Sequence, residues 1–167
     1  MSVESLSVST LDLPHGDDWA TVDDVPGDLR RMLEIYRCAR QDDVDGGVEP
    51  ITDMDELYEI YDGVEGQDVV VARTPDNMIV GVASFDARRT VPFFEGVSVD
   101  PDYRGNGIAA ALVSLVLARA SDSGITELHA RSQPSSLEAN RRMLLGTGVD
   151  FNIIEDGEKY PLIVISL

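Results

Sequence analysis

One segment near the middle of the chain limits what the chain can fold into. An alternating stretch ends at Val99, a turn with two glycines covers residues 100–107, and a strongly apolar helical pattern begins at Ile108. Because the start of a helix leaves backbone N–H groups unpaired and carries partial positive charge, a turn of this kind favours phosphate groups. Gly105 and Gly107 permit a ligand to approach the backbone closely. The segment therefore predicts an anion-binding turn.

The flanking segments alternate between strand and helix periodicity. Strands are predicted at residues 6–13, 68–73, 78–85, 91–99, 125–130, 151–154 and 160–167. Helices are predicted at residues 28–40, 53–61, 108–123 and 134–145, with Asp28 and Thr52 as N-caps of the first two. Residues 14–27 and 42–47 are predicted to be acidic loops. Three meander strands before a βαβ-like crossover indicate an α/β (α+β) fold, a mixed sheet with helices on both faces.

The length of 167 residues suits one domain, and we expect that domain to span 1–167. The first 25 residues or so form either an acidic extension or a first strand followed by a loop.

The net charge of -18 is unusual, and Lys159 is the only lysine among 13 basic residues. An acidic surface could attract a cationic substrate, and it would repel nucleic acid, which we do not expect as a partner. A cationic substrate does not explain the scarcity of lysine, whereas adaptation to high salt does. The composition resembles that of proteins from salt-accumulating microbes, so we expect a halophilic source.

Several classes of site are not expected. Cys38 is the only cysteine, and His15 and His129 lie far apart in sequence, so we predict no metal site. No run of about 18 apolar residues occurs, which argues against a membrane partner. Residues 1–10 contain no basic residue and do not resemble a signal peptide. We therefore expect a cytoplasmic protein.

The central segment resembles the coenzyme A signature of the GNAT superfamily of N-acetyltransferases, Arg/Gln-x-x-Gly-x-Gly/Ala. The chain has Arg104-x-x-Gly107-x-Ala109, preceded by Val99-Asp100-Pro101-Asp102-Tyr103. The order of elements from about residue 28 to the end also matches this family. The resemblance implies a GNAT-like mixed, mostly antiparallel sheet and acetyl-CoA as cosubstrate.

The resemblance also implies which residues bind the coenzyme. Backbone amides would hold the diphosphate, and backbone groups of the preceding strand would hold the pantetheine arm. The residues concerned are Val97, Ser98, Val99, Arg104, Gly105, Asn106, Gly107, Ile108 and Ala109. Asn140, early in the following helix, matches an asparagine that many members place near the coenzyme, and a surface role is equally compatible. Arg141 and Arg142 have two interpretations: they contact the 3′-phosphate of the coenzyme, or they are solvated arginines on the helix surface.

Two other interpretations of the glycine turn remain. Gly105-x-Gly107-x-x-Ala110 with Glu127 downstream fits a loose dinucleotide-binding fingerprint. That fingerprint needs an acidic residue at the end of the second strand, whereas Glu127 is near the start of its strand. A glycine turn without a ligand is the other interpretation.

The catalytic residues are less clear than the coenzyme site. Glu95 is the candidate base, because a protonated amine must lose a proton before it attacks. A regular strand would place Glu95 on one face with Phe93 and Val97, whereas a bulge at Gly96 would turn it. The resemblance implies that the Val99 amide meets the developing oxyanion.

The family's usual general acid, a tyrosine late in the helix after Asn140, is missing, since residues 135–150 contain no tyrosine. Water, Tyr103 or Tyr160 remain as proton donors, and a thiolate with a pKa of about 8.5 can also leave without an acid.

The function that fits is an acyltransferase, an N-acetyltransferase in which the amine attacks bound acetyl-CoA directly. A non-catalytic acyl-CoA sensor on the same fold is the alternative. The acceptor, a small-molecule or peptide amine, is not readable from the sequence. The oligomeric state is open, with a homodimer as one option.

Overall fold

The computed structural model describes residues 6–14, 19–40 and 47–167. Over these ranges the chain forms seven strands and four α-helices in the predicted order. The strands are β1 (Ser7–Leu11), β2 (Asp68–Arg73), β3 (Ile79–Asp86), β4 (Phe93–Val99), β5 (Glu127–Arg131), β6 (Asp150–Ile154) and β7 (Leu162–Ser166). The helices are α1 (Gly27–Arg40), α2 (Met54–Asp62), α3 (Ile108–Asp122) and α4 (Pro134–Thr147). Most of the predicted 42–47 loop, and residues 15–18 of the predicted 14–27 loop, lie outside the described residues.

The strands form one sheet in the order β1-β2-β3-β4-β5-β7-β6. β4 and β5 run parallel, and every other neighbouring pair is antiparallel. The prediction of a mixed, mostly antiparallel sheet is therefore confirmed. The parallel pair requires a crossover, and α3 supplies it between β4 and β5.

Helices cover both faces of the sheet, as predicted. α1 and α2 bury Leu33 and Leu57 against one face, and α3 buries Leu112 and Val116 against the other. β3 is buried along its whole length because it contributes to both layers. β3 lies next to the central strand β4, and the start of α3 packs against it at Gly81.

Both predicted helix caps were wrong. α1 begins at Gly27, so Asp28 lies in its first turn, and its carboxylate accepts a hydrogen bond from Arg73 at 2.8 Å. The N-cap of α2 is Asp53, not Thr52. The Asp53 backbone is extended, and its side chain accepts a hydrogen bond from the Glu56 amide at 3.0 Å.

Proline explains why two of the strands, β4 and β7, begin two residues later than predicted. β4 starts at Phe93 directly after Pro92, and β7 starts at Leu162 directly after Pro161. Proline has no N–H group to donate to the ladder, so it stands before the first paired residue.

Candidate active site

The fourth strand carries a bulge at Glu95. Ser84 on β3 pairs with Gly96, and Phe85 pairs with Phe94, so Glu95 is an extra residue with no opposite partner. Gly96 has a φ of 151°, which residues with side chains rarely adopt. The predicted bulge is confirmed, and the regular-strand placement of Glu95 does not apply.

The bulge coincides with the separation of β4 from β5. These two strands pair only at Phe93 with His129 and at Phe94 with Ala130. Beyond this point they diverge and leave a cleft of about 400 Å³. β4 lines one side with residues 94–98, the end of β5 lines the other, and α4 contributes Asn140 and Met143.

A second cavity, of about 380 Å³, lies where β4 ends and α3 begins. The cleft and this second cavity, which we call the cradle cavity, share Val97, Ser98, Gln133 and Ser136 as wall residues. The two cavities therefore lie side by side along β4, from the N-terminus of α3 to the bulge. An elongated ligand with an anionic end and an apolar arm fits this arrangement.

The turn before α3 exposes the backbone of two glycines at the start of the helix. Gly105 and Gly107 have φ values of 78° and 76°, and no side chain caps the helix. The first intrahelical bond runs from the Ala111 amide to the Gly107 carbonyl at 3.1 Å, so the amides before Ala111 have no partner within the helix. A Cβ atom built on Gly105 would meet nothing within 4 Å. The residues present therefore suit a diphosphate group.

Gly81 on β3 explains how α3 comes to start at this place. A Cβ atom at Gly81 would lie 2.9 Å from side-chain atoms of both Ile108 and Leu112. The missing side chain lets the first turn of α3 rest directly on the sheet. Sequence reasoning missed this glycine, because its partners lie more than 25 residues further along the chain.

The structure brings most of the predicted coenzyme-binding residues together. Those that line the cradle cavity are Val97, Ser98, Val99, Arg104, Gly105, Gly107, Ile108 and Ala109. The Asn106 side chain instead donates back to the Tyr103 carbonyl at 3.0 Å, which supports the turn from within. Asn140 lines the cleft and donates to the Ser132 hydroxyl at 2.8 Å.

The two arginines after Asn140 lie elsewhere. Arg142 pairs with Glu138 along the exposed face of α4 at 3.0 Å. Arg141 lines a separate cavity between α4 and β6. The structure therefore places neither arginine in the wall of the cradle cavity.

A family model described as the Acetyltransferase (GNAT) family matches residues 29–146. The chain belongs to this family. The match covers more than half of the chain and includes the glycine turn, the cleft and most of α4. GNAT membership supports an acetyltransferase.

Solved structures of similar fold agree with this assignment. A putative acetyltransferase from Salmonella typhimurium, solved with its cofactor acetyl-CoA, is 19% identical over 98% of this chain and 93% of its own, with a TM-score of 0.63. An N-acetyltransferase from Staphylococcus aureus is 18% identical over 97% of each chain, with a TM-score of 0.61. A phosphinothricin acetyltransferase from Sinorhizobium meliloti, in complex with acetyl-CoA, is 20% identical over 98% and 88%, with a TM-score of 0.61. A search of curated protein sequences gives no match.

Within the GNAT fold of this chain, Glu95 belongs to a cluster of charges at the β3–β4 turn. Its carboxylate accepts a hydrogen bond from Arg89, and its side chain is 16% exposed. Arg89 also lies 3.8 Å from Asp86 and 4.7 Å from the centre of the Phe93 ring. The charge cluster holds Glu95 at the wall of the cleft.

Asp86 is the other buried carboxylate of this cluster. Arg88 donates to both of its oxygens, at 2.9 and 3.0 Å, and the Arg88 amide donates at 3.0 Å. The hydrogen bond from the Arg88 side chain is the main reason why the pKa of Asp86 lies below its usual value.

The structure also separates the candidate proton donors. Tyr103 lines the cradle cavity, and Tyr160 precedes β7 with Lys159 5.0 Å from its ring centre. Neither lines the cleft beside the bulge. Tyr36 of α1 does, together with Glu95. Sequence reasoning did not select Tyr36, because only the packing of α1 against β4 brings it there.

Residues 6–14, 19–40 and 47–167 contain no group of three His, Cys, Asp or Glu side chains placed to hold a metal ion. No helix within them has the length and apolarity needed to cross a bilayer.

Proposed function

We propose that the chain is an N-acetyltransferase that moves an acetyl group from acetyl-CoA to a primary amine by direct attack. The observation that carries this proposal is the wall that the cradle cavity shares with the cleft, which Glu95 also lines. Acetyl-CoA supplies an acetyl group activated as a thioester. The residues of this chain bind the coenzyme, orient the amine and move the protons.

The cradle holds the diphosphate through the backbone amides at the start of α3, which carry the positive end of the helix dipole. Beyond Phe94, β5 no longer pairs with β4. The edge of β4 that faces away from β3 therefore offers backbone groups to the pantetheine arm. Ser98 contributes main chain rather than side chain, since its hydroxyl donates to the Ile35 carbonyl at 2.8 Å.

Glu95 takes the proton of the attacking amine, directly or through water. The bulge and the contact with Arg89 fix this carboxylate at the cleft wall. The Val99 amide meets the negative charge that develops on the acetyl oxygen.

Tyr36 donates the proton to the departing thiolate. It is the tyrosine that reaches the cleft wall with Glu95, and it replaces the tyrosine that α4 lacks. A phenol hydroxyl is a hydrogen-bond donor and can supply a proton to a thiolate.

Direct attack is favoured over a covalent enzyme intermediate by the position of the cysteine. Cys38 lines the cradle cavity and not the cleft beside Glu95. Burial raises the pKa of its thiol, which makes the nucleophilic thiolate scarce at neutral pH. The acceptor amine belongs to a small molecule or a peptide, and nucleic acid and membranes are not proposed as partners.

The rival function is a sensor that binds acyl-CoA without turnover. The deciding experiment incubates the protein with acetyl-CoA and a panel of primary amines, including polyamines, amino acids and N-terminal peptides, and measures the release of free CoA. Turnover with at least one amine supports the enzyme. Tight binding of CoA with no turnover across the panel supports the sensor, and no binding of CoA contradicts both.

A further inference from the structure

A partly buried ion pair lies beneath the turn that forms the cradle. Arg31 of α1 donates to Oδ2 of Asp100 at 2.5 Å, and its Nε donates to the Ile79 carbonyl at 3.3 Å. The Asp100 side chain is 6% exposed and the Arg31 side chain 25%. The pair joins a helix of the opposite layer to the residue that directly follows β4.

Asp100 shapes the turn with its remaining groups. Its Oδ1 accepts from the Asp102 amide at 3.0 Å, and its own amide donates to the Val80 carbonyl at 2.9 Å. Its carbonyl accepts from the Tyr103 amide at 2.9 Å. Asp100 thereby fixes the path of the chain from β4 into the cradle.

This placement creates an electrostatic conflict. A buried carboxylate near a diphosphate site would repel the ligand, and burial weakens the screening of that repulsion. Burial is the main reason why the pKa of Cys38, in the wall of the cradle cavity, is raised; the charges of Arg37, Arg104 and Arg31 lower this pKa, whereas the charge of Asp100 raises it. Arg31 is thus placed to cancel the charge of Asp100 at the cradle.

Arg31 also connects α1 to the segment before α2. Its guanidinium lies 3.9 Å from Glu34, whose other oxygen accepts from the Ile51 amide at 3.1 Å. Arg31 therefore has a second carboxylate neighbour, and this neighbour is itself bound to the segment before α2.

We propose that Arg31 is a positioning residue for the coenzyme: it neutralises Asp100, so that this carboxylate can shape the cradle turn without repelling the diphosphate. This inference rests on the proposed function, because it assumes that CoA occupies the cradle. It predicts that CoA affinity depends on the net charge that remains at the Arg31–Asp100 pair after a substitution. The loss of the contact between the two side chains should matter less.

The test measures the dissociation constant of CoA by calorimetry, with no acceptor present, at the lowest KCl concentration that keeps every variant folded. Arg31→Met should weaken CoA binding about tenfold, the order expected for one uncompensated charge near an anion. Asp100→Asn retains an oxygen for the Asp102 amide and should bind CoA at least as tightly as the wild type. The double variant Arg31→Met/Asp100→Asn should recover most of the loss.

Two further variants complete the set. Arg31→Lys keeps the charge and should restore most of the affinity. Arg30→Met removes the neighbouring arginine, which pairs with Asp23, a residue whose side chain is 96% exposed, and it should bind CoA as the wild type does.

The proposal is overturned if Asp100→Asn weakens CoA binding as much as Arg31→Met, because the pair would then be only structural. It is also overturned if Arg31→Met binds CoA normally. If Arg31→Met does not fold, the Asp100→Asn variant still tests the proposal, because a loss of CoA affinity in that variant contradicts it. Failure of the wild type to bind CoA would instead contradict the proposed function.

Discussion

Arg89 donates a hydrogen bond to the carboxylate of Glu95 from the turn between β3 and β4. The same guanidinium stacks on the ring of Phe93, the first residue of β4. Glu95 is therefore oriented by a side chain that does not line the cleft. A residue that must accept a proton from a substrate benefits from such support, because its geometry is set before the substrate arrives.

We predict that Glu95→Gln lowers kcat by about 100-fold, the lower end of what a general base contributes. The dissociation constant of CoA should not change, because the bulge is formed by the backbone and Gly96 is retained. The measurements are steady-state turnover with the best amine and calorimetry with CoA. Glu138→Gln, on the exposed face of α4, is the matched control and should keep full turnover. Equal turnover in the two variants would remove Glu95 from the mechanism.

We predict that Tyr36→Phe lowers kcat about tenfold with little effect on CoA affinity, a modest loss because the thiolate is itself a fair leaving group. The phenyl ring keeps the packing of α1, whereas the phenol hydroxyl is lost. Stopped-flow measurement of thiol release tests this. Tyr160→Phe is the control, since Tyr160 does not line the cleft. A loss with Tyr160→Phe and none with Tyr36→Phe would reverse the assignment.

The cradle could be predicted from the sequence because all of its parts are local. A strand end, two glycines and a helix start lie within residues 97–110, and the anion-binding property follows from backbone geometry alone. The order of strands and helices was predictable for a similar reason, since hydrophobic periodicity is a property of short segments. The predicted cap of α2 was wrong because the neighbouring residues Thr52 and Asp53 are both suitable caps.

The cleft could not be predicted to the same degree because its walls come from distant segments. Tyr36, Gln133 and Ser136 reach it from α1 and from the region of α4, and no short pattern marks them. Gly81 and the Arg31–Asp100 pair depend on contacts between opposite layers of the fold. Tertiary packing decides such contacts, whereas the sequence shows only that the elements exist.

The cradle itself is tested by a pair of glycine substitutions at the two ends of α3. Gly105 and Gly124 have φ values of 78° and 80°, and a Cβ atom would meet nothing within 4 Å at either position. Valine should therefore introduce similar backbone strain of about 1–2 kcal/mol at both sites. Of these two glycines, Gly105 lines the cradle cavity and Gly124 does not.

We predict that Gly105→Val abolishes the rise in melting temperature caused by acetyl-CoA, whereas Gly124→Val retains it. Differential scanning fluorimetry in molar KCl, with and without acetyl-CoA, compares the two variants. Gly107→Val, at the N-cap of α3, should behave like Gly105→Val. An undiminished thermal shift in Gly105→Val would place the ligand elsewhere.

The last prediction concerns acid stability and the buried carboxylate of Asp86. Hydrogen bonds from Arg88 keep its pKa below the usual value of 3.8, so the folded state favours the ionised form. A depressed pKa stabilises the folded state above the pKa of the unfolded chain, and this stabilisation is lost as the pH falls through the folded value. We predict that Asp86→Asn lowers the free energy of unfolding by about 1.5–3 kcal/mol at pH 6, the usual worth of a hydrogen bond to a charged group. The difference from wild type should stay constant down to about pH 4 and shrink below it, which urea unfolding at a series of pH values measures. Glu155→Gln, at an exposed position after β6, should show no such pH-dependent difference. If the difference in the free energy of unfolding between wild type and Asp86→Asn persisted unchanged at pH 2, the stabilisation by Asp86 would not depend on its ionised carboxylate.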